Sequence, residues 1–263
     1  MSLKIVRHPD VPDEIIRLID DTAANGVPTT AKHIYDGKRN TLYRVGECNV
    51  KQFGRPNALN KFVYGILRPS KARRSYEHGL RLLSLGFDTP QPYGYIEKTH
   101  CGLFTDSYYF CQQLEGVATM RDWETVLNDR TLLTDFCRFS LRLWEEGVWH
   151  KDYSPGNILR DIDENGNNRF RLVDLNRIRF IKTGRKHLVE MFTEISIDRS
   201  VNEQICRCVA EVAGIDAEKF VADVKRNLEK YFAKKHRNKV LKRIFLNKTT
   251  RLSQVNNYSS RRI

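Results

Sequence analysis

Three oxygen-bearing side chains, Asp152, Asn157 and Asp174, stand at spacings suited to moving a phosphoryl group. The first two lie in His150-Lys151-Asp152-Tyr153-Ser154-Pro155-Gly156-Asn157, an H-x-D-x-x-x-x-N pattern followed by Ile158-Leu159. The third closes a short apolar strand after a charged turn, Arg171-Leu172-Val173-Asp174. Phosphoryl transfer needs little covalent help from a protein. It needs a carboxylate that orients and deprotonates the acceptor hydroxyl, and ligands for cations that neutralise the phosphates. Asp152 is the candidate for the first task. Asn157 and Asp174 offer a neutral oxygen and a carboxylate to Mg²⁺, a hard cation that keeps several waters and so needs few protein ligands. Pro155 and Gly156 permit a tight, non-helical path between them. His150 and Lys151 complete the candidate catalytic group: His150 as a hydrogen-bonded brace of the loop, Lys151 reaching a phosphate or acceptor anion, or else pointing to solvent. The same octapeptide could form an ordinary turn; Asp174 at a strand end favours chemistry.

The rest of the chain must position these groups. At 263 residues it can bury a substantial core, as one two-lobed unit or two small domains. No apolar run approaches the ~20 residues of a membrane span. Met1 to Val6 lacks the apolar stretch of a signal peptide. The six cysteines form no C-x-x-C and mostly sit in apolar segments, which suits buried thiols in a reducing compartment. The histidines do not cluster into a zinc site. The net charge of +13 is uneven: from Lys219 to Ile263 there are 14 Lys plus Arg against Asp223 and Glu229. A solvated tail, a nucleic-acid surface and an anionic membrane surface all fit that run.

In order, Val11-Pro12-Asp13-Glu14 opens a helix to about Asn25, stopped by Gly26. Strands follow over 31–35, 41–45 and 48–53, a meander with a turn at Asp36-Gly37-Lys38-Arg39-Asn40. Amphipathic helices are expected over 57–67 and 71–85, the second capped by Ser70. Two more strands, 93–97 and 103–111, lead to Gln112-Gln113-Leu114-Glu115-Gly116. Helices over 120–127 and 131–146 deliver the chain to the catalytic loop. Asn165-Gly166 marks a hairpin that brings Asn157 and Asp174 to adjoining strand ends. Helices over 188–197, 201–213, 217–233 and 237–246 fill the remainder, and the last residues, from Ser253, are expected to be mobile.

From about Ala31 to Asp174 the chain resembles the protein-kinase-like superfamily, because four elements recur in order: V-K-x-F at Lys51, a helix with one acid, the H-x-D-x-x-x-x-N loop, and the strand-end Asp174. Within it, His150-Lys-Asp-Tyr-Ser-Pro-Gly-Asn-Ile-Leu and Val173-Asp174-Leu-Asn-Arg most resemble the lipopolysaccharide Kdo/heptose kinases. The resemblance implies an α+β, two-lobed fold: residues 1–112 as an N-terminal lobe with an antiparallel sheet and helices, residues 113–263 as a mostly helical C-terminal lobe. It implies ATP and Mg²⁺ as cofactors and an inner-core sugar as acceptor. It also implies work on the cytoplasmic face of the inner membrane, reached through the basic C-terminal end, with no specific nucleic acid. Lys51 would pair the α- and β-phosphates and Glu77 would be its ion-pair partner. Gln112, Gln113 and Leu114 would form the hinge that meets the adenine edge.

There are departures. No G-x-G-x-x-G precedes the second strand of the meander, so Lys38, Arg39 and Asn40 are candidates for covering the phosphates. Asp174 is followed by Leu-Asn rather than Phe-Gly, no A-P-E follows, and no long activation loop intervenes before the next helix. That argues against a switched protein kinase. Three readings stay open: a kinase of Kdo or heptose, a small atypical protein kinase or aminoglycoside- or choline-type kinase, and a non-catalytic scaffold that binds anionic lipid or RNA.

Overall fold

The computed structural model describes residues 2–37, 40–54, 68–101 and 103–259, with side chains to residue 238. The helix expected over 57–67, and Lys38 and Arg39, lie outside the described residues. Strands β1 (Ser2–Arg7), β2 (Lys32–Gly37), β3 (Asn40–Val45), β4 (Cys48–Phe53), β5 (Pro92–His100) and β6 (Leu103–Gln112) form one antiparallel sheet, ordered β1-β5-β6-β4-β3-β2. The expected meander is thus the outer half of a larger sheet. β1 has no counterpart in the sequence expectation: Lys4 and Arg7 interrupt its apolar signal, yet it pairs with β5 from Ser2↔Thr99 to Arg7↔Gly94.

Alternation along the strands sorts the sheet's two faces. On one, Val50, Ile96, Tyr108 and Phe110 pack against Ile15, Leu18 and Ile19 of helix α1 (Asp13–Asn25). On the other, Phe53, Tyr95 and Tyr109 pack against Ala72 and Tyr76 of helix α2 (Lys71–Ser84). Lys51, two residues before Phe53, therefore lies on the α2 side. Ser70 caps α2 by accepting from the Arg73 N–H at 3.0 Å.

After the two-residue strand β7 (Ala118–Thr119) come helices α3 (Trp123–Asn128) and α4 (Arg130–Glu145), then β8 (Val148–His150). Strands β9 (Ile158–Ile162) and β10 (Asn168–Leu172) make the expected hairpin, and β11 (Ile178–Phe180) pairs with β8. Helices α5 (Arg185–Thr193), α6 (Arg199–Ala213) and α7 (Ala217–Ser259) complete the chain. α7 corrects the expectation of two separate helices, 217–233 and 237–246. No Gly or Pro breaks the chain from Ala217 to Ser259, so the helix runs through the polar interval near His236. One apolar core joins Phe136 and Leu143 of α4, Ile158, Leu172, Phe192, Ile205 and Phe220. The architecture is the expected antiparallel sheet followed by a helical part. Five thiols are buried and Cys101 is exposed. Among the described residues no helix is long and apolar enough to cross a membrane.

Candidate active site

The loop 150–157 is held from beneath by His150. This imidazole is 1% exposed. Its Nδ1 accepts from the Asp152 N–H at 3.1 Å, which leaves Nε2–H to donate to the Val173 carbonyl at 3.2 Å. Burial lowers its pKa, against weaker pulls from Val173, Asp174 and Asp152, so a neutral ring fits both bonds. The inward position and two hydrogen bonds of His150 are those of the loop brace expected of it within the candidate catalytic group. The loop then turns through a 3-10 segment, Pro155–Asn157. The Asn157 Nδ2 donates to the Asp152 carbonyl at 2.9 Å, and the Asn157 carbonyl accepts from the Val173 N–H at 3.0 Å. Asn157 and the backbone leading into Asp174 are thereby joined, as the hairpin predicts, and the Asn157 Oδ1 remains for another partner.

Asp174 has a left-handed backbone, φ 56°, which Asp tolerates better than most residues. Its Oδ1 accepts from Lys51 Nζ, reaching across from β4, and from Asn176 Nδ2 at 2.7 Å. Burial pushes this carboxyl up, but Lys51, His150 and Arg177 together hold it below the ordinary range. A carboxylate so placed must be paired, and Lys51 pairs it. This differs from the expected Lys51–Glu77 pair. Glu77 instead accepts from Arg73 at 2.7 Å, one turn back on α2, with its side chain 44% exposed. What α2 contributes is a grip on the turn after Asp174: Arg74 Nη1 donates to the Asn176 carbonyl at 2.8 Å, and His78 Nδ1 lies 2.7 Å from the Leu175 carbonyl. Asn176, Arg74 and His78 were missed by sequence reasoning, although Arg74 and His78 share a helix face at i, i+4.

Asp152 is partly exposed, and Arg177 Nη1 donates to its Oδ2 at 2.5 Å. Glu194, just after α5, lies in the field of Asp152 and Arg177; burial, then Asp152, push its carboxyl up, against weaker opposing pulls from Tyr231 of α7 and Arg177. Lys151 reaches outward, its ammonium 4.8 Å from the centre of the Trp149 ring. Glu194 and Tyr231 carry no local motif and were not anticipated as site residues.

The hinge expectation is altered. The Gln112 N–H donates to Gln91 at 2.9 Å and the Gln113 N–H to Glu47 at 2.8 Å, while the Gln113 side chain covers the Leu114 carbonyl at 2.9 Å. Among the described residues the Leu114 N–H carries no hydrogen bond. Asn40 starts β3 beside the β2–β3 turn, and its side-chain oxygen is buried with no hydrogen-bond partner among the described residues. The donor set fits Mg²⁺: the Asn157 amide is oriented by its own Nδ2 bond, and Asp174, next in sequence to the Val173 N–H that bonds the Asn157 carbonyl, adds a charged carboxylate. A separate cavity of about 440 Å³ is lined by Asp88, Asp135, Arg138, Phe139 and Arg169, among others, and contains none of these groups.

No family model matches the sequence, and no curated protein matches it. Solved structures do. WaaP in complex with acyl carrier protein matches at TM-score 0.55 and 17% identity, covering 88% of this chain and 99% of that one. An aminoglycoside 2'-phosphotransferase-IIIa variant in its GDP complex matches at TM-score 0.51 and 10% identity, covering 82% and 86%. The Rio2 kinase of Chaetomium thermophilum, with ADP, Mg²⁺ and phosphoaspartate, matches at 0.48 and 16%, covering 86% and 82%. The fold of this chain is that of the protein-kinase-like proteins, WaaP among them.

Proposed function

We propose that the chain is a Mg²⁺- and ATP-dependent kinase of a sugar hydroxyl in the lipopolysaccharide inner core, Kdo or heptose. The observation that carries this reading is the convergence of Lys51, Asp152, Asn157 and Asp174, from three segments of the sequence, on one short loop and strand end. Asp152 would orient the acceptor hydroxyl and take its proton as the oxygen–phosphorus bond forms. Asn157 and Asp174 would hold Mg²⁺, which supplies charge neutralisation on the phosphates. Lys51, already beside Asp174, would pair the same phosphates. Asn40 would turn its unpartnered oxygen or its amide toward the nucleotide, and the Leu114 N–H would meet the base. The two lobes divide near residue 112.

The sugar acceptor is favoured over a protein by the short path from Asp174 to α5, eleven residues with a 3-10 turn and β11 but no long loop. The structural likeness to WaaP is in keeping with this reading, and the likeness to an aminoglycoside phosphotransferase keeps a smaller soluble acceptor as the second reading. Incubation with Mg-ATP and Kdo-lipid A, with and without heptose, followed by mass spectrometry, tests the first. One added phosphate on the Kdo or heptose fragment is expected. Phosphate on free small molecules alone, with the glycolipid unchanged, would replace it with the second.

A further inference from the structure

β8 and β11 pair antiparallel with His150 opposite Ile178 and Trp149 opposite Arg179. One step further sets Lys151 against Arg177, and the Lys151 N–H donates to the Arg177 carbonyl at 3.3 Å. Side chains alternate faces along such a ribbon. His150 and Ile178 are buried on the inner face. Trp149, Lys151, Arg177 and Arg179 therefore share the outer face, and the Lys151 ammonium over the Trp149 ring confirms the sorting. The His187 ring meets the Trp149 ring edge-on, centroids 4.9 Å apart, and fixes it.

Like charges directly opposite one another on a ribbon cost stability, and here Lys151 faces Arg177 beside Arg179. Burial, then Arg179, press the Lys151 pKa down, with Arg177 and Arg68 adding to it; Glu190 is the acid that opposes them. Glu190 lies 3.8 Å from Lys186. Among the described residues no carboxylate comes within ion-pair distance of Lys151, Arg179 or Arg68. Lys151 and Arg179, cations with no ion-paired carboxylate among the described residues, stand around an aromatic plate immediately before Asp152 and suit a sugar that bears an anion.

We infer that the outer face of the β8–β11 ribbon is an acceptor subsite, where Trp149 carries a sugar ring and Lys151 and Arg179 hold a phosphate or carboxylate on the same glycan. The inference rests on the kinase reading for the role of the neighbouring Asp152, and it names the chemistry that reading leaves open. The anion could also sit on a lipid headgroup; the ribbon's place beside the candidate base favours the glycan.

The test is calorimetric titration of the full chain with three probes: a deacylated lipopolysaccharide core glycan with its phosphates, the same glycan dephosphorylated and carboxyl-reduced, and phosphatidylglycerol vesicles. Mg-ATP affinity is measured alongside. The intact glycan is expected to bind at least tenfold tighter than the neutralised one. R179Q, at an exposed position with no side-chain hydrogen bond among the described residues, is expected to remove at least tenfold of that affinity, and W149L a comparable part. Both variants should keep Mg-ATP affinity within twofold. Equal binding of the two glycans, or undiminished binding by R179Q, would overturn the subsite. So would vesicle binding that R179Q abolishes without any glycan binding. Failure of Mg-ATP to bind the wild-type chain would instead remove the kinase reading, so the two failures are separable.

Discussion

Asp174 shows how much a single residue is asked to do here. It sits in a left-handed conformation, is largely buried, and carries two donors on one oxygen. Backbone strain of this kind persists where surrounding structure enforces it, and it clusters at functional sites. Replacing Asp174 by Asn preserves shape and hydrogen bonding to Asn176 but removes the charge that pairs with Lys51 and that the proposed Mg²⁺ would need. D174N is expected to abolish the thermal shift produced by Mg-ATP while leaving the ligand-free melting temperature within a few degrees. His150 gives a stability prediction with a pH sign. Its folded pKa lies below the ordinary value near 6.5, so the unfolded chain takes the proton first. Stability contributed by the neutral ring is full above about 6.5 and declines as pH falls below it. H150A leaves the Asp152 N–H and the Val173 carbonyl without their partner and should cost about 2–4 kcal/mol at pH 7.5. Its denaturant midpoint should also lose the part of the acid slope that His150 supplies; an unchanged slope would contradict the neutral assignment.

At the scale of elements, the hairpin β9–β10 was legible because Asn-Gly between apolar runs has few other solutions. The hairpin's register, Ile158↔Leu172, then places Asn157 and Asp174 together. The partner of Lys51 was not legible in the same way. α2 buries Ala72, Ser75, Tyr76, Gly79 and Leu82, and Glu77 falls off that face. Sequence shows which residues share a helix face but not which strand end the helix rim meets. Since Glu77 is held by Arg73 in an exposed i, i+4 pair, E77A should cost no more than about 0.5 kcal/mol and leave turnover within about threefold. A loss beyond tenfold would mean that Glu77 reaches Lys51 in the working enzyme. The close seat of α2 is a sharper dependence. A Cβ on Gly79 would stand 2.6 Å from a Pro92 carbon and 3.3 Å from a Leu175 methyl. G79V should therefore destabilise by about 1–3 kcal/mol, and because Leu175 follows Asp174, it should weaken Mg-ATP binding as well.

Across the whole molecule, the sheet-then-helices plan could be read from periodicity and turn residues, whereas the joins could not. β1 is an edge strand whose pairing with β5 is set by the distant sheet, and no local signal announces it. α7 runs on as one helix because nothing breaks the backbone, although its apolar pattern pauses. Its basic composition belongs to this scale too: 14 Lys plus Arg against two acids from Lys219 onward. Binding to anionic vesicles through that end should fall steeply between 50 and 300 mM salt, about the loss expected for screened surface charge, and co-sedimentation measures it. Retention at high salt would point to apolar insertion instead.

Asp152 is the proposed base beside the proposed Mg-ATP site. Single-turnover transfer from Mg-ATP to Kdo-lipid A, wild type against D152N, addresses it most directly, with Mg-ATP affinity measured on both. A fall of at least a hundredfold in the transfer rate, with affinity kept within a few-fold, is the predicted result. Transfer by D152N at the wild-type rate would contradict the assignment.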